Sequence, residues 1–376
     1  MKVKVVGTGL TKFGELWNKS LIDLAQEASI EAIKESGLRS LDIEAVFVGN
    51  MIHGKLSGQD HLGALVASSL GIKGGSFRIE GACASGGLAV HLAIQSLLAG
   101  TYKNVLVVGV EKMTDVPTSD IATALMGAGS EDERKSGLTF PALYALMAKA
   151  HMREFGTTRK HMANVSVKNH YHASLNDKAQ FPYEVTMEKI LESPVISTPF
   201  TLFDVSPISD GAGAVVLSSQ MRSGAYISGS AVATDTVDLA SRKSLLEIAA
   251  TKDASKMALK QAGVEIKDIK VAEVHDCFTI AEILAMEDLG FCSKGRGGEF
   301  VEKGTTKLGG RMPVNTSGGL KACGHPVAAT GIKQIIEVTH QLEKRAGKRQ
   351  VMGANIGLTH NVGGTGGTVV VHILQS

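Results

Sequence analysis

Hydrophobic positions along this chain follow a helical period in some segments and form short continuous runs in others. Residues 1–7 form a short apolar run that predicts a first strand. A helical pattern then extends from Leu24 to Ser36 and stops at Gly37, and glycine commonly ends helices. The next apolar run, at 45–50, predicts a second strand. Alternating helices and strands of this kind indicate an α/β fold.

The same series of elements occurs a second time along the chain. A helical pattern from Lys252 to Ala262 stops at Gly263 and is followed by a predicted strand at 271–276. Later segments also correspond in order: 83–87 with 315–319, the helical runs 88–99 with 330–345, the strands 105–109 with 350–354, and the glycine-rich runs 210–217 with 364–371. Because the order is preserved throughout, the pattern favours two related α/β halves over a chance similarity of ordinary βα units.

The repeat is interrupted between about residues 113 and 207. This region is rich in charged, His and Met residues, and residues 140–152 have a helical pattern. Insertions between strands commonly carry substrate-binding surface, although a packing or oligomerisation element would have a similar sequence. We therefore expect an N-terminal half at 1–222, which includes this inserted loop region, and a C-terminal half at 223–376.

Composition narrows the class of protein. The 376 residues are 44% hydrophobic and 20% charged, with a formal net charge of +2, as expected for a soluble globular protein. The near-neutral charge and the 5% aromatic content argue against nucleic acid as a partner. We find neither a membrane-spanning apolar stretch nor a signal peptide. Four cysteines without metal-site or redox spacing predict free thiols and a cytoplasmic location: Cys83, Cys277, Cys292 and Cys323.

One cysteine stands in the most informative segment, residues 78–87. Cys83 lies among small residues directly before a helical run, so we expect it at a helix N-terminus. Free N–H groups and the helix dipole favour negative charge there, which would lower the pKa of the thiol and favour a nucleophile. A buried structural cysteine is the alternative, because free cysteine often acts as a small core residue.

Three polar segments in the second half add candidate chemistry. The sequence His-Asp-Cys-Phe at 275–278 ends a predicted strand, where α/β sheets commonly bind ligands. A Gly-His-Pro turn at 324–326 precedes a helix, and a glycine-rich turn at 360–367 could aim backbone amides at an anion. The glycine-rich turn is not a P-loop, since no Gly-Lys-Ser/Thr follows. Each segment alone could be structural.

Together these segments resemble the thiolase superfamily over essentially the whole chain. The Cys83 segment, the segments 275–278 and 324–326, and the C-terminal Gly-Gly turn occur in the family's order. The resemblance implies a thiolase fold with a five-layer αβαβα arrangement built from the two halves. The segment 275–278 is similar to that of sterol-carrier-protein-type thiolases and archaeal acetyl-CoA acetyltransferases.

The resemblance also implies a mechanism, the ping-pong condensation of two acetyl-CoA molecules to acetoacetyl-CoA through an acetylated Cys83. His325 would assist the deprotonation of Cys83, and His275 would help to form an oxyanion hole. Biosynthetic thiolases keep a second catalytic cysteine where this chain has Asn361, so the sterol-carrier branch implies Cys277 as the proton carrier instead.

The resemblance extends to substrate-binding groups. The backbone amides of Cys83 and Gly363 would form a second oxyanion hole. His151 and Met152 resemble a pair that contacts coenzyme A, although both could equally pack the insertion against the core. The resemblance implies CoA thioesters as substrates, so we expect neither a metal nor a cofactor.

The remaining expectations concern assembly and alternatives. We expect a homodimer or a dimer of dimers, a role in the mevalonate pathway, and, by resemblance to the archaeal relatives, association with 3-hydroxy-3-methylglutaryl-CoA synthase and a small OB-fold protein. A degradative 3-ketoacyl-CoA thiolase and a non-catalytic acyl-CoA- or lipid-binding protein are the alternatives. A ketoacyl-ACP synthase fits less well, because its Cys-His-His or Cys-His-Asn set does not match segments 275–278 and 324–326.

Overall fold

The first half of the chain alternates strands with helices, as the sequence predicts. The computed structural model describes residues 2–376, so the first residue of the predicted strand 1–7 lies outside the described residues. The elements of this half before the insertion are β1 (Val3–Leu10), α1 (Leu21–Ser36), β2 (Ala45–Gly49), α2 (His53–Ser57), α3 (Leu62–Ser69), β3 (Gly75–Ile79), α4 (Ser85–Leu98) and β4 (Asn104–Glu111).

The inserted region is mainly helical, although the sequence predicts a loop region with a single helix. Its elements are α5 (Thr118–Leu125), α6 (Glu131–Lys135), α7 (Phe140–Phe155), α8 (Arg159–Ser174), α9 (Met187–Leu191) and the two-stranded β5 (Val195–Ser197) with β6 (Phe200–Thr201). The chain then returns to the main sheet through β7 (Gly211–Ser218).

The second half repeats the pattern of the first. Its elements are β8 (Tyr226–Thr234), α10 (Ala249–Ala262), β9 (Val271–Glu273), α11 (Thr279–Asp288), α12 (Gly297–Glu302), α13 (Gly319–Cys323), α14 (Thr330–Leu342), β10 (Ile356–Gly363) and β11 (Thr368–Gln375). No described helix is long and apolar enough to cross a membrane.

Local signals explain why α1 begins and ends where it does. The Ser20 side chain accepts a hydrogen bond from the Asp23 amide, and the Asp23 carboxylate accepts one from the Ser20 amide, so a capping box starts the helix. Gly37, in the left-handed conformation at φ 72°, ends it. Leu24, Ala28 and other buried residues recur at helical spacing between these ends, which places one face of α1 against the sheet.

Topology confirms the predicted repeat. Nine strands form one sheet in the order β3-β2-β4-β7-β1-β8-β11-β10-β9. The first half contributes β2-β4-β7-β1 and the second contributes β9-β10-β11-β8, which is the same order of corresponding strands. The halves join where β1 and β8 pair antiparallel, at Val3 with Ile227 and Lys4 with Tyr226. The division into domains at residue 222 stays a prediction.

Helices lie on both faces of the strands of each half, and the two halves share one layer of helices, so the molecule has five layers. Helices α4 and α14 pack against each other and contact strands of both halves, so they form the central layer. Helix α1 covers the outer face of β1 and β7, while α10 covers β8 and β11. The order helix, strand, helix, strand, helix confirms the αβαβα arrangement.

The central helices approach closely because both carry glycine at the contact. A Cβ atom at Gly331 of α14 would overlap the backbone nitrogen of Gly87 in α4. Any side chain at this position would therefore push the two helices apart. This contact brings together the N-terminal ends of α4 and α14, which follow the Cys83 segment and the Gly-His-Pro turn.

One predicted strand is wrong. Residues 350–354 form a turn, in which Gly353 has a left-handed φ of 72° and Val351 donates its amide to the Gln341 side chain. The strand is β10, which pairs with both β9 and β11. As a result, residues 360–363 lie in a strand, and the predicted glycine-rich turn is limited to 364–367.

Candidate active site

Cys83 lies on a tight turn two residues before α4. Ala82 has a positive φ of 52°, a conformation that residues with a Cβ rarely adopt. The turn is held by the Ser85 hydroxyl, which accepts from the Gly81 amide at 3.0 Å and donates to the Ala82 carbonyl at 2.6 Å. These bonds fix the backbone on both sides of Cys83, and its half-buried thiol lines a cavity.

Two histidines from the second half converge on this thiol. The Cys83 sulfur and ring nitrogens of His275 and His325 all lie within 4.8 Å of one another. The two rings cross nearly at right angles, with centroids 5.2 Å apart. The predicted residues Cys83, His275 and His325 are thus brought together from sequence positions up to 242 residues apart (83 to 325). One sulfur and two nitrogens could also ligate a metal ion.

His325 is placed to accept a proton from Cys83. Its backbone amide donates to the Ser209 hydroxyl at 2.9 Å, and its Nδ1 lies 2.8 Å from the hydroxyl oxygen of Thr330, the first residue of α14. Burial, together with the positive charge of Lys333, lowers the pKa of His325 to about 3. The ring is therefore neutral near pH 7 and can act as a base.

Asn361 fixes the proton positions on His275. Its Oδ1 accepts from the Gly87 amide at 3.2 Å, which identifies the other side-chain atom as the nitrogen. That Nδ2 donates to the Cys83 carbonyl at 3.1 Å and lies 3.2 Å from His275 Nδ1. His275 Nδ1 must then accept, so a neutral ring carries its proton on Nε2. Burial lowers the pKa of His275 well below its usual value, which keeps the ring neutral.

The Nε2 atom of His275 is a free donor beside the thiol. It is buried and has no hydrogen-bond partner among the described residues. A buried donor without a partner is costly in a folded protein, so such a group is expected where a ligand completes the hydrogen bond. An oxygen that gains negative charge next to Cys83 would be such a partner.

The predicted low pKa of Cys83 is wrong for this structure. Burial raises the pKa of the thiol to about 12, and the negative charges of Glu111 and Glu80 act in the same direction. The backbone amides of Gly364 and of Cys83 itself oppose this rise in the pKa of the thiol. Desolvation outweighs the helix start, so the resting thiol is protonated and requires a base such as His325.

Cys277 lines the same cavity as Cys83 and His325. The preceding Asp276 carboxylate accepts from the Leu320 amide at 2.6 Å and the Lys321 amide at 3.2 Å, which fixes the segment to the start of α13. The Cys277 carbonyl accepts from Ser206 at 2.9 Å. Burial raises the pKa of the Cys277 thiol. The structure therefore brings Cys277 together with Cys83, His275 and His325.

The backbone amide that approaches the Cys83 sulfur is that of Gly364, in the turn after β10. The neighbouring Gly363 is the last residue of that strand. The predicted pairing of the Cys83 and Gly363 amides as an oxyanion hole stays a prediction.

His151 and Met152 do not lie in the cavity. His151 is fully buried, with Nδ1 2.8 Å from the Thr157 hydroxyl and Nε2 3.1 Å from the Glu287 carboxylate. Met152 packs against the large core of the second half. Both nitrogens of His151 already have partners, which favours the packing alternative, and the coenzyme A contact stays a prediction.

The cavity has a volume of about 490 Å³ and mostly apolar walls. The inserted region supplies much of this wall through Phe140, Tyr144, His170, Phe181, Ile196 and Phe203. Among the polar lining residues that the sequence did not single out are Tyr144 and Lys321. Both are buried, and the Lys321 ammonium donates to the Val205 carbonyl at 2.5 Å. Neither lies in a segment that the sequence marks as chemical.

Comparison with known proteins agrees with this geometry. The thiolase N-terminal domain family matches residues 3–221, and the thiolase C-terminal domain-like family matches residues 231–376. The acetyl-CoA acetyltransferase of Methanothermobacter thermautotrophicus is 49% identical over 382 residues, which cover 99% of each chain. That of Methanocaldococcus jannaschii is 44% identical, with 99% of this chain and 98% of the relative covered. Sterol carrier protein 2 of Bos taurus is 33% identical and matches 100% of this chain and 72% of its own length.

Solved structures share the fold. The Ltp2-ChsH2(DUF35) aldolase superimposes with a TM-score of 0.86 at 24% identity, covering 100% of this chain and 98% of the other. Human mitochondrial 3-ketoacyl-CoA thiolase superimposes with a TM-score of 0.78 at 20% identity and the same coverage.

Proposed function

This chain belongs to the thiolase family, a family of acyltransferases, and we propose that it is an acetyl-CoA acetyltransferase that condenses two acetyl-CoA molecules to acetoacetyl-CoA and CoA. The observation that carries this proposal is the convergence of Cys83, His275 and His325 within 4.8 Å at a cavity that also contains Cys277. Both archaeal relatives are named acetyl-CoA acetyltransferase, which supports it.

The first half-reaction acetylates Cys83. Neutral His325 takes the thiol proton, and the thiolate attacks the thioester carbon of acetyl-CoA. The carbonyl oxygen gains negative charge and is stabilised by hydrogen-bond donors, for which the unpartnered Nε2–H of His275 and backbone amides near the sulfur are suited. The CoA thiolate then leaves with the proton of Cys277.

The second half-reaction forms the carbon–carbon bond. The Cys277 thiolate removes a proton from the methyl group of the second acetyl-CoA, and the resulting enolate attacks the acetyl group on Cys83. Collapse of the tetrahedral intermediate releases acetoacetyl-CoA and the Cys83 thiolate, which regains its proton from His325. Protons balance over the cycle, and no metal takes part in these steps.

A degradative 3-ketoacyl-CoA thiolase is the second candidate. The apolar cavity walls favour it, since such a wall would also accommodate a longer acyl chain. A non-catalytic acyl-CoA- or lipid-binding role has less support, because all four predicted catalytic residues are present: Cys83, His275, Cys277 and His325. A product assay distinguishes the two enzymes. The proposed acetyltransferase should form acetoacetyl-CoA from acetyl-CoA alone, whereas a degradative thiolase should cleave long-chain 3-ketoacyl-CoA.

The assembly belongs to the same proposal. Strand β3 lies at one edge of the sheet, and its Phe77 side chain is 43% exposed, so a second copy could continue the sheet there. We propose a homodimer, or a dimer of dimers. Light scattering tests this point, and a monomer of 39.4 kDa would contradict it.

The cellular context completes the proposal. Free thiols favour the cytoplasm, and acetoacetyl-CoA would feed the mevalonate pathway. Association with 3-hydroxy-3-methylglutaryl-CoA synthase and a small OB-fold protein is testable by co-purification.

Labelling tests the central step. Radiolabelled acetyl-CoA should acetylate the wild type at Cys83 and should leave Cys83→Ser unlabelled. Cys292→Ser is the matched control, because Cys292 does not line the cavity, and it should label like the wild type. Stoichiometric label on another cysteine, with Cys83 free, would refute the assignment.

A further inference from the structure

Tyr144 is a buried polar residue that the mechanism above does not use. It lies in α7 of the inserted region, is 1% exposed and lines the catalytic cavity. Its ring stacks on Phe278, the residue after Cys277, with centroids 4.5 Å apart and an interplanar angle of 24°. This stacking fixes the position of the tyrosine ring relative to the segment that carries the second cysteine.

The Tyr144 hydroxyl lies between the surroundings of the two cysteines. It donates to the carbonyl of Gly364 at 3.0 Å, and the amide of the same Gly364 lies near enough to the Cys83 sulfur to lower the pKa of that thiol. The hydroxyl also lies close enough to the Cys277 thiol for each group to shift the pKa of the other. One hydroxyl therefore links Cys277 to the turn that holds the nucleophile.

We propose that Tyr144 is a positioning residue for Cys277, whose hydroxyl orients the thiol and then stabilises the thiolate. In the resting state the Cys277 S–H donates to the tyrosine oxygen, and the tyrosine O–H donates to the Gly364 carbonyl. When the departing CoA takes the Cys277 proton, the tyrosine O–H turns from Gly364 to the thiolate. Tyr144 keeps its own proton throughout, so no further reactant is needed.

The surroundings suit a donor that does not ionise. Burial and the neighbouring Cys277 raise the pKa of Tyr144 well above its usual value, so its hydroxyl stays protonated. The same contact lowers the pKa of the Cys277 thiol, against the larger opposing effect of burial. A hydrogen bond to an anion is stronger than one to a neutral group, so this contact strengthens when Cys277 is deprotonated.

Tyr144→Phe tests the proposal, which rests on the proposed function only through the proton-carrying role of Cys277. The variant keeps the ring and its stacking on Phe278. The matched control is Tyr226→Phe, which also loses one hydrogen bond, that from the hydroxyl to Gln375 at 2.9 Å, but lies in β8 outside the cavity lining. The control should behave like the wild type.

Two measurements separate positioning from a loss of fold. In Tyr144→Phe, Cys83 should still be acetylated at close to the wild-type rate, while condensation should fall by about 10- to 100-fold, the range that a hydrogen bond to a charged group contributes. In a Cys83→Ser background, peptide mapping should show that alkylation of Cys277 by iodoacetamide shifts to higher pH when Tyr144 is replaced.

Three results would overturn the proposal: unchanged condensation, equal losses in acetylation and condensation, or an alkylation profile that does not shift. If the wild type forms no acetoacetyl-CoA, the proposed function fails, and the alkylation profile still decides whether Tyr144 acts on Cys277.

Discussion

Replacing Asn361 with aspartate tests how proton positions are set around the nucleophile. The substitution preserves the size of the side chain and the acceptor that receives the Gly87 amide. It removes the NH₂ group that faces two acceptors, the Cys83 carbonyl and His275 Nδ1, at 3.1 and 3.2 Å. A carboxylate there would face both acceptors without a proton.

His275 can relieve this conflict by moving its proton. A proton on Nδ1 would donate to the new carboxylate, and Nε2 would then carry a lone pair toward Cys83. The oxyanion would lose its imidazole donor, which typically reduces the rate by about 10²- to 10³-fold, or ~2.7–4 kcal/mol. The Cys83 carbonyl would lose its partner as well, at a stability cost of about 1–3 kcal/mol. We therefore expect a folded, less stable protein with severely slowed acetylation.

The assay is the rate of Cys83 acetylation by labelled acetyl-CoA, with chemical denaturation of the same sample as the measure of stability. Asn164→Asp is the matched control, because its side chain bonds only the Lys160 carbonyl of its own helix, at 3.0 Å. An Asn361→Asp protein that acetylates Cys83 at the wild-type rate would refute the assigned role of the His275 proton.

Three further predictions follow from other parts of the molecule. Cys277→Ala should still accept acetyl at Cys83, but its steady-state condensation rate should fall by about 10²- to 10⁴-fold. An unchanged rate would mean that a group other than Cys277 carries the proton during condensation. Gly331→Ala should lower the free energy of unfolding by about 1–3 kcal/mol, and with it the melting temperature, because the new Cβ would overlap Gly87. An unchanged melting temperature would contradict the close helix contact. Burial lowers the pKa of four histidines to about 3: His172, His325, His360 and His372. Between about pH 3 and 6.5 these histidines bind protons in the unfolded chain but not in the folded one, so stability to guanidinium should rise with pH over that range. A flat profile would contradict the effect of burial on these histidines.

The fold was predictable where the signals are local. Glycine stops and apolar runs mark helices and strands within a few residues, and their repeated order revealed the two halves. The strand β10 was misplaced because its sequence includes polar residues, Thr359, His360 and Asn361, that are buried by partners distant in the chain. His360, for example, packs its Nε2 against the Thr251 hydroxyl at 3.0 Å. Such pairing has no signature in a short sequence window.

The residues of the candidate site were also predictable only where local sequence signals mark them. Cys83, His275, Cys277 and His325 stand in distinctive short segments, so their convergence could be expected. Tyr144 could not be recognised, because in α7 its spacing is that of an ordinary core residue. The direction of the Cys83 pKa was wrong for a related reason: the helix start is visible in sequence, whereas desolvation depends on the folded surroundings.

The central pair of helices has a consequence for the history of the chain. In the proposed mechanism, the nucleophile Cys83 precedes α4 in one half, and its activating His325 precedes α14 in the other. If the halves arose by gene duplication, an ancestral unit would have had to pair with a copy of itself to bring two helix starts face to face. After fusion, each copy could specialise at its own helix start. Fragments separated between β7 and β8 should accordingly be inactive alone and regain activity only by complementation.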